Sequence, residues 1–120
     1  MKNICTIIFC VFLILTMLTA CSDDHPLIVG VWDNGYGLVI EFRSDGTYVE
    51  SHFGENVGDA AESLFGEAPV YTYKTDNGTL TMIIDFRGHI TENEFSYEII
   101  DDKLHRTNER GTTEIFTRIT

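Results

Sequence analysis

The chain is short of cysteine, proline and positive charge. It has three cysteines in 120 residues, and Cys5 and Cys10 both sit in an N-terminal apolar run. Cys21 therefore has no partner downstream, and no disulfide framework staples the fold. A cysteine nucleophile in the body of the chain is excluded as well. Two prolines are too few for a Pro-rich linker. Eight Lys and Arg stand against 19 Asp and Glu, a formal charge of −11. Such a chain does not bind nucleic acid by neutralising phosphates. It is also repelled from anionic membrane surfaces unless something covalent holds it there. No Gly-rich phosphate loop, Gly-x-Ser-x-Gly elbow or His-Glu-x-x-His helix is present. His25, His52, His89 and His105 are scattered. His52 with Glu50 or Glu41 is the one conceivable metal pair, and a surface histidine is the commoner reading. Asp76-Asn77-Gly78 lacks the further ligands of a calcium loop and reads as a turn. Glu92/Glu94 and Asp101/Asp102 read as a solvated rim. No catalytic residue, metal or cofactor is expected, and the chain reads as non-enzymatic.

What is present begins with a leader. Lys2 is the only charge before Asp23, and an apolar-rich stretch runs from Ile4 to Leu18. A positive start followed by a short apolar core is a secretory signal. A membrane-spanning helix needs about 20 apolar residues, and this run stops short of that. Polar Ser22, Asp23 and Asp24 follow at once.

Leu18-Thr19-Ala20-Cys21 resembles the lipobox of bacterial lipoproteins. The resemblance implies cleavage before Cys21 and attachment of acyl chains such as palmitate to that cysteine. One acyl chain binds a membrane reversibly, and two or more hold firmly. Removing residues 1–20 takes away Lys2 and no acid, so the mature chain is more acidic still. Ser22 rather than Asp after the cysteine argues, by resemblance to sorting rules, for the outer membrane. Ser22-Asp23-Asp24 resembles an acidic export tag for the cell surface in one Gram-negative phylum; a solvated acidic tether is the alternative. The expected layout is a signal peptide over 1–20, a tether over 21–27 and one folded domain over 28–120.

That domain reads as all-β. Short β-rich runs near 28–33, 37–43, 47–53, 70–75, 79–86, 91–100, 103–109 and 112–119 are separated by Gly and Asx turn signals. Asn34-Gly35, Asp45-Gly46 and Asn77-Gly78 are the strongest, because Gly and Asn accept positive φ. Connections of two to five residues force antiparallel neighbours, hence an up-and-down meander of about eight strands. Closure into a small barrel removes exposed edges. A two-residue turn at Asn77-Gly78 sets Thr75 opposite Leu80, Tyr73 opposite Met82 and Tyr71 opposite Ile84. It also leaves Thr72, Lys74, Thr81 and Asp85 on the outer face. The Asp45-Gly46 hairpin has two solutions. A two-residue turn pairs Phe42 with Val49; a three-residue loop with a glycine bulge pairs Phe42 with Tyr48 and Ile40 with Glu50. The choice decides whether Tyr48 and His52 point inward. Asp59–Phe65 reads as a short inserted helix, with Val57, Ala61, Leu64 and Phe65 on one face. It either caps one mouth of the barrel or packs outside.

The order Gly30-x-Trp32, Phe42-x-x-Asp45-Gly46-Thr47-Tyr48, Tyr71-x-Tyr73, Gly78-x-Leu80, Tyr97-x-Ile99 and Phe116-x-Arg118-Ile119 resembles the bacterial lipocalin-like lipoproteins. The resemblance covers roughly 28–120 and implies a small lipid-anchored meander barrel. In true lipocalins the Trp of the opening strand plugs the closed end under an arginine from the last strand, a position Arg118 matches. The chain is shorter and lacks their C-terminal helix, so a full-sized cavity is not implied. Two functions from different classes follow. One is a small apolar or amphipathic ligand held in the barrel mouth, with Trp32, Tyr48, Tyr71, Tyr73, Met82 and Tyr97 as candidate lining and the helix as lid. The other is a filled barrel acting as a surface interaction module, its acidic face meeting a protein or envelope component.

Overall fold

A computed structural model describes residues 25–120. The expected signal peptide, Cys21 and residues 22–24 of the expected tether lie outside the described residues. Within them, α1 (His25–Ile28) precedes β1 (Gly30–Asp33), β2 (Leu38–Phe42), β3 (Tyr48–His52) and β4 (Glu55–Asn56). Then come α2 (Val57–Phe65), β5 (Val70–Asp76), β6 (Thr79–Phe86), β7 (His89–Ile100), β8 (Lys103–Thr107) and β9 (Thr113–Arg118). The strands form one antiparallel sheet in the order β4-β3-β2-β1-β9-β8-β7-β6-β5. The first and last long strands meet, with Trp32 opposite Arg118 and Asp33 opposite Thr117. The sheet curls until β3 and β5 approach each other. There Thr47 bridges Thr72, and the Tyr73 N–H donates to the Gly46 carbonyl at 2.9 Å. The Tyr73 hydroxyl donates to the Arg43 carbonyl at 2.6 Å. The architecture is the all-β meander barrel that the turn spacing predicts, curled and only partly closed.

Turn chemistry sets the registers. Asn77-Gly78 (φ 51 and 83°) is a primed turn whose twist matches the strands it joins. It pairs Thr75 with Leu80, Tyr73 with Met82 and Tyr71 with Ile84, as read from the sequence. The open choice at Asp45-Gly46 resolves to the glycine bulge. Arg43 N–H donates to Thr47 O at 2.9 Å, Gly46 takes φ 87°, and Phe42 faces Tyr48 while Ile40 faces Glu50. Tyr48 is thereby buried, whereas His52 at the strand end is exposed. The Asp45 carboxylate accepts from the Thr47 hydroxyl at 2.6 Å and its N–H at 3.0 Å. These bonds, the hydroxyl first, hold its pKa below the ordinary value.

Several boundaries differ from expectation. The first strand starts at Gly30 rather than 28, because Ile28 closes α1 and its carbonyl accepts the Trp32 Nε1–H at 2.8 Å. β4 escaped the sequence reading: His52 pairs with Glu55 across Phe53-Gly54, where Phe53 itself takes φ 52°. α2 begins two residues early because the Asn56 side chain accepts the Asp59 N–H at 3.0 Å and caps it. Gly66 ends it in the left-handed conformation. Thr81, assigned to the solvent face, is buried. Lys74 and Glu94 flank it in register on the neighbouring strands, and long side chains on both sides shield a short one.

The alternating strand directions give the barrel two unlike ends. The lower end carries α1 and the turns at 43–47, 77–78 and 101–102. The upper end carries the turns at 34–37, 53–54, 87–88 and 108–112, together with α2. Ile28, Trp32, Ile40, Phe42, Leu80, Leu104 and Phe116 are fully buried between them. Each contributes roughly 1.5–3 kcal/mol of burial, enough together to hold the curl.

Candidate functional site

The lower end is plugged. Trp32 is completely buried, and the Arg118 guanidinium lies over its ring at 4.3 Å. Arg118 also donates to the Val29 carbonyl at 2.9 Å and the Leu27 carbonyl at 2.6 Å. Its Nε stands 3.4 Å from the Asp102 carboxylate. The cation thus stacks on the ring while its donors satisfy the end of α1. Gly30 makes room for this: a Cβ there would lie 2.6 Å from an Arg118 nitrogen, and the backbone takes φ 147°.

The six candidate lining residues share one core, Trp32 being the plug itself. Trp32, Tyr48, Tyr73, Met82 and Tyr97 are buried in the core, and Tyr71 is half-buried against it. The rings meet one another: Phe42 and Tyr73 edge-on at 4.9 Å, Tyr48 and Tyr71 at 5.4 Å, Phe42 and Tyr48 at 6.2 Å. Phe42, which was not a candidate, is the hub of this cluster. Tyr48, Tyr71 and Tyr73 therefore come together, with Met82 across the strand from Tyr73. Trp32 belongs to the plug under Arg118. Burial, then the Glu50 charge, pushes the Tyr48 and Tyr71 phenols above their ordinary pKa of 10.

A second residue overlooked in the sequence sits in this interior. Arg106 is buried between Phe95 and Phe116, with its guanidinium 4.3 and 5.0 Å from their ring centres. It donates to Glu114 at 2.8 Å and to the weak acceptor Met82 Sδ at 3.3 Å. Its Nε has no hydrogen-bond partner among the described residues. The signal was available, since Arg106 shares its strand face with Leu104 at period two.

The upper end is open and unlike the lower one. α2 spans the gap between the upper ends of β3 and β5; Gly58 lies by the Tyr71 ring and Phe65 contacts Phe86 at 5.6 Å. Arg87 fastens it, donating to the Phe65 carbonyl at 2.8 Å and to Glu67 at 3.1 Å. The predicted apolar face of the helix is not inserted into the barrel: Leu64 is 78% exposed and Phe65 57%. Tyr36, Phe53 and Ile90 add exposed apolar surface at the same end. His52 Nε2 and Glu50 are 3.6 Å apart. Among the described residues, no three His, Cys, Asp or Glu side chains converge into a metal-binding group. Open polar grooves of about 280 and 450 Å³ flank the upper half of β7.

Compared with protein-family models, curated proteins and solved structures, the chain matches none.

Proposed function

We propose that this chain is a non-enzymatic cell-envelope lipoprotein, tethered to the outer membrane through acylated Cys21. Its lipocalin-like barrel serves as an interaction module with a filled centre. The observation that carries the filled-centre reading is the ring cluster: Phe42 contacts Tyr48 and Tyr73, and Tyr48 contacts Tyr71. Side chains that would line a ligand cavity are spent on each other. The stack of Arg118 on Trp32 fits the lipocalin-like resemblance. The acidic surface supplies the means of engaging a basic protein or envelope component.

A second reading rests on a separate observation. Tyr71 is half-buried beside Tyr48 and Gly58 of α2, and the half-buried Glu50 acts on both phenols. A small amphipathic ligand seated there would meet a phenol, a carboxylate and an aromatic floor.

Titration of the acyl-free protein with an apolar fluorescent probe separates the two readings. Absence of saturable binding supports the module; saturable binding displaced by lipid extract overturns it in favour of the ligand site. Metabolic labelling with an alkyne fatty acid tests the tether. Label on the native chain, lost in Cys21→Ala together with membrane association, is the expected result; an unlabelled native chain refutes it.

A further inference from the structure

β7 is twelve residues long, and β8 pairs with only its second half. The β7–β8 ladder ends at Ser96 opposite Thr107. Beyond that point β8 turns away into a loop closed on itself, where Asn108 N–H donates to Thr112 O at 3.0 Å. β6 continues to pair with β7 up to Phe86 opposite His89. His89–Phe95 therefore form a strand with one edge made and the other bare, about 23 Å long at the usual rise per residue.

The alternation identifies the bare groups. Tyr97 N–H donates towards β6, to Gly78 O at 2.9 Å. The odd-numbered residues of β7 thus turn their backbone polar groups to β6, and Ile90, Glu92 and Glu94 turn theirs away from it. Among the described residues no strand pairs with that side of Ile90, Glu92 or Glu94. The side chains divide by face as well. Phe95, opposite buried Leu80, packs on the core and fixes Asn93 and Thr91 on the inner face. Ile90, Glu92 and Glu94 are exposed on the outer face.

We infer that the bare edge of β7 accepts an extended segment of a basic partner, which adds as a strand and carries Lys or Arg at alternate positions. This rests on the interaction-module reading and names its site. Backbone groups of Ile90, Glu92 and Glu94 offer three donors and three acceptors in strand register. Glu92 and Glu94, two residues apart on one face, lie opposite alternate side chains of an incoming strand, where opposite charges attract and like charges repel. Asp76 and Glu109 line the same 450 Å³ groove and add to the negative field, against Lys74 alone. A second copy of this chain is disfavoured by the same geometry: symmetric edge-to-edge pairing centred on Glu92 sets Glu92 against Glu92. The 280 Å³ groove between Glu92–Phe95 and Asn108–Arg110 leaves the approach open.

The experiment uses an eight-residue peptide of alternating Lys and Val, with a Glu-Val peptide as control. Binding to the acyl-free protein is followed by calorimetry and by amide hydrogen exchange. The expected result is binding of the Lys-Val peptide alone, with new protection at Ile90, Glu92 and Glu94. Ile90→Pro removes an edge donor without changing charge and without touching the β6 ladder; it is expected to abolish that protection. Glu92→Lys with Glu94→Lys is expected to weaken binding roughly tenfold or more. Binding that ignores Ile90→Pro and protects none of the three amides overturns the edge and leaves a diffuse acidic face. Failure of the native protein to bind the Lys-Val peptide at low salt overturns both the edge and the acidic-face reading. A dimer in sedimentation that dissociates with Ile90→Pro overturns the basic partner in favour of a second copy.

Discussion

Gly30→Ala is the sharpest test of the plug. Two penalties coincide at this position. The backbone takes φ 147°, which side chains rarely adopt, and strain of this sort costs about 1–3 kcal/mol. The new methyl would also stand 2.6 Å from an Arg118 nitrogen and 2.8 Å from the Thr120 carbonyl. Arg118 would have to leave the Val29 and Leu27 carbonyls and slide off Trp32. Hydrogen bonds to a charged group contribute about 1.5–3 kcal/mol each. Arg118 is part-exposed, so the lower figure applies and one bond survives repositioning. The total is about 2.5–4.5 kcal/mol, a large share of the roughly 5–15 kcal/mol that holds a domain together. Gly35→Ala is the control, with positive φ of 81° but nothing within 4 Å of the added carbon. It should show strain alone. Urea unfolding can be followed through Trp32, the chain's one tryptophan, buried under Arg118. The cost of Gly30→Ala should also shrink when Arg118 is already Ala, because the two positions share a contact. If Gly30→Ala proves no worse than Gly35→Ala, or if the double mutant is additive, the plug as described is wrong.

Three further outcomes follow from the interior. Tyr48 and Tyr71 have raised folded pKa values. Their stabilising contribution is therefore complete below the unfolded value near pH 10 and declines above it, as the unfolded chain releases those protons first. Absorbance titration should show tyrosines that ionise late, and Tyr48→Phe should flatten the alkaline loss of stability. Arg106→Met should be tolerated much better than Arg106→Ala in thermal melts, since Met refills the slot between Phe95 and Phe116, while Ala leaves a cavity of the kind that costs about 2–5 kcal/mol. Asn56→Ala removes the α2 cap and should cost about 1 kcal/mol, seen as faster amide exchange over 57–65 with little change in the β6–β7 ladder.

Local chemistry made most of the fold legible, and its failures were non-local. Asn77-Gly78 specifies a primed turn by itself, so its register and the facing of Tyr71, Tyr73 and Met82 could be read off. Asp45-Gly46 could not be decided, because either turn suits those two residues. The bulged form agrees with contacts from Tyr73, thirty residues away from the Arg43 carbonyl that it bonds. Phe53-Gly54 is a weak turn signal, because a phenylalanine seldom takes positive φ; its ring lies over Gly37, within 3 Å of where a Cβ would be. Arg106 carries no sign of burial in its residue type, since arginine is mostly exposed. Its burial depends on two rings from other strands and on Glu114. The facing of Tyr48 stayed open with the Asp45-Gly46 turn, and periodicity says nothing about whether inward aromatics leave a space or close it.

The two ends of the barrel bear unequal loads, and this joins the tether to the bare strand. The lower end joins α1, β1, β9 and the β7–β8 turn through one arginine: Arg118 reaches Leu27, Val29, Trp32 and Asp102. The proposed lipid attachment at Cys21 precedes α1, so pull on the tether enters the structure where it is most tightly bound. The upper end carries the exposed apolar side chains of the 34–37 turn, Phe53 and α2, and the unpaired half of β7. A strand added at that edge would extend a ladder that already runs from β5 through β6 to β7. Its free energy would come from backbone groups now solvated by water, and its selectivity from Glu92 and Glu94. The same two charges guard the edge against self-pairing in the absence of a partner. If the proposed tether and edge both hold, binding and release at the far edge would leave the Arg118 plug undisturbed.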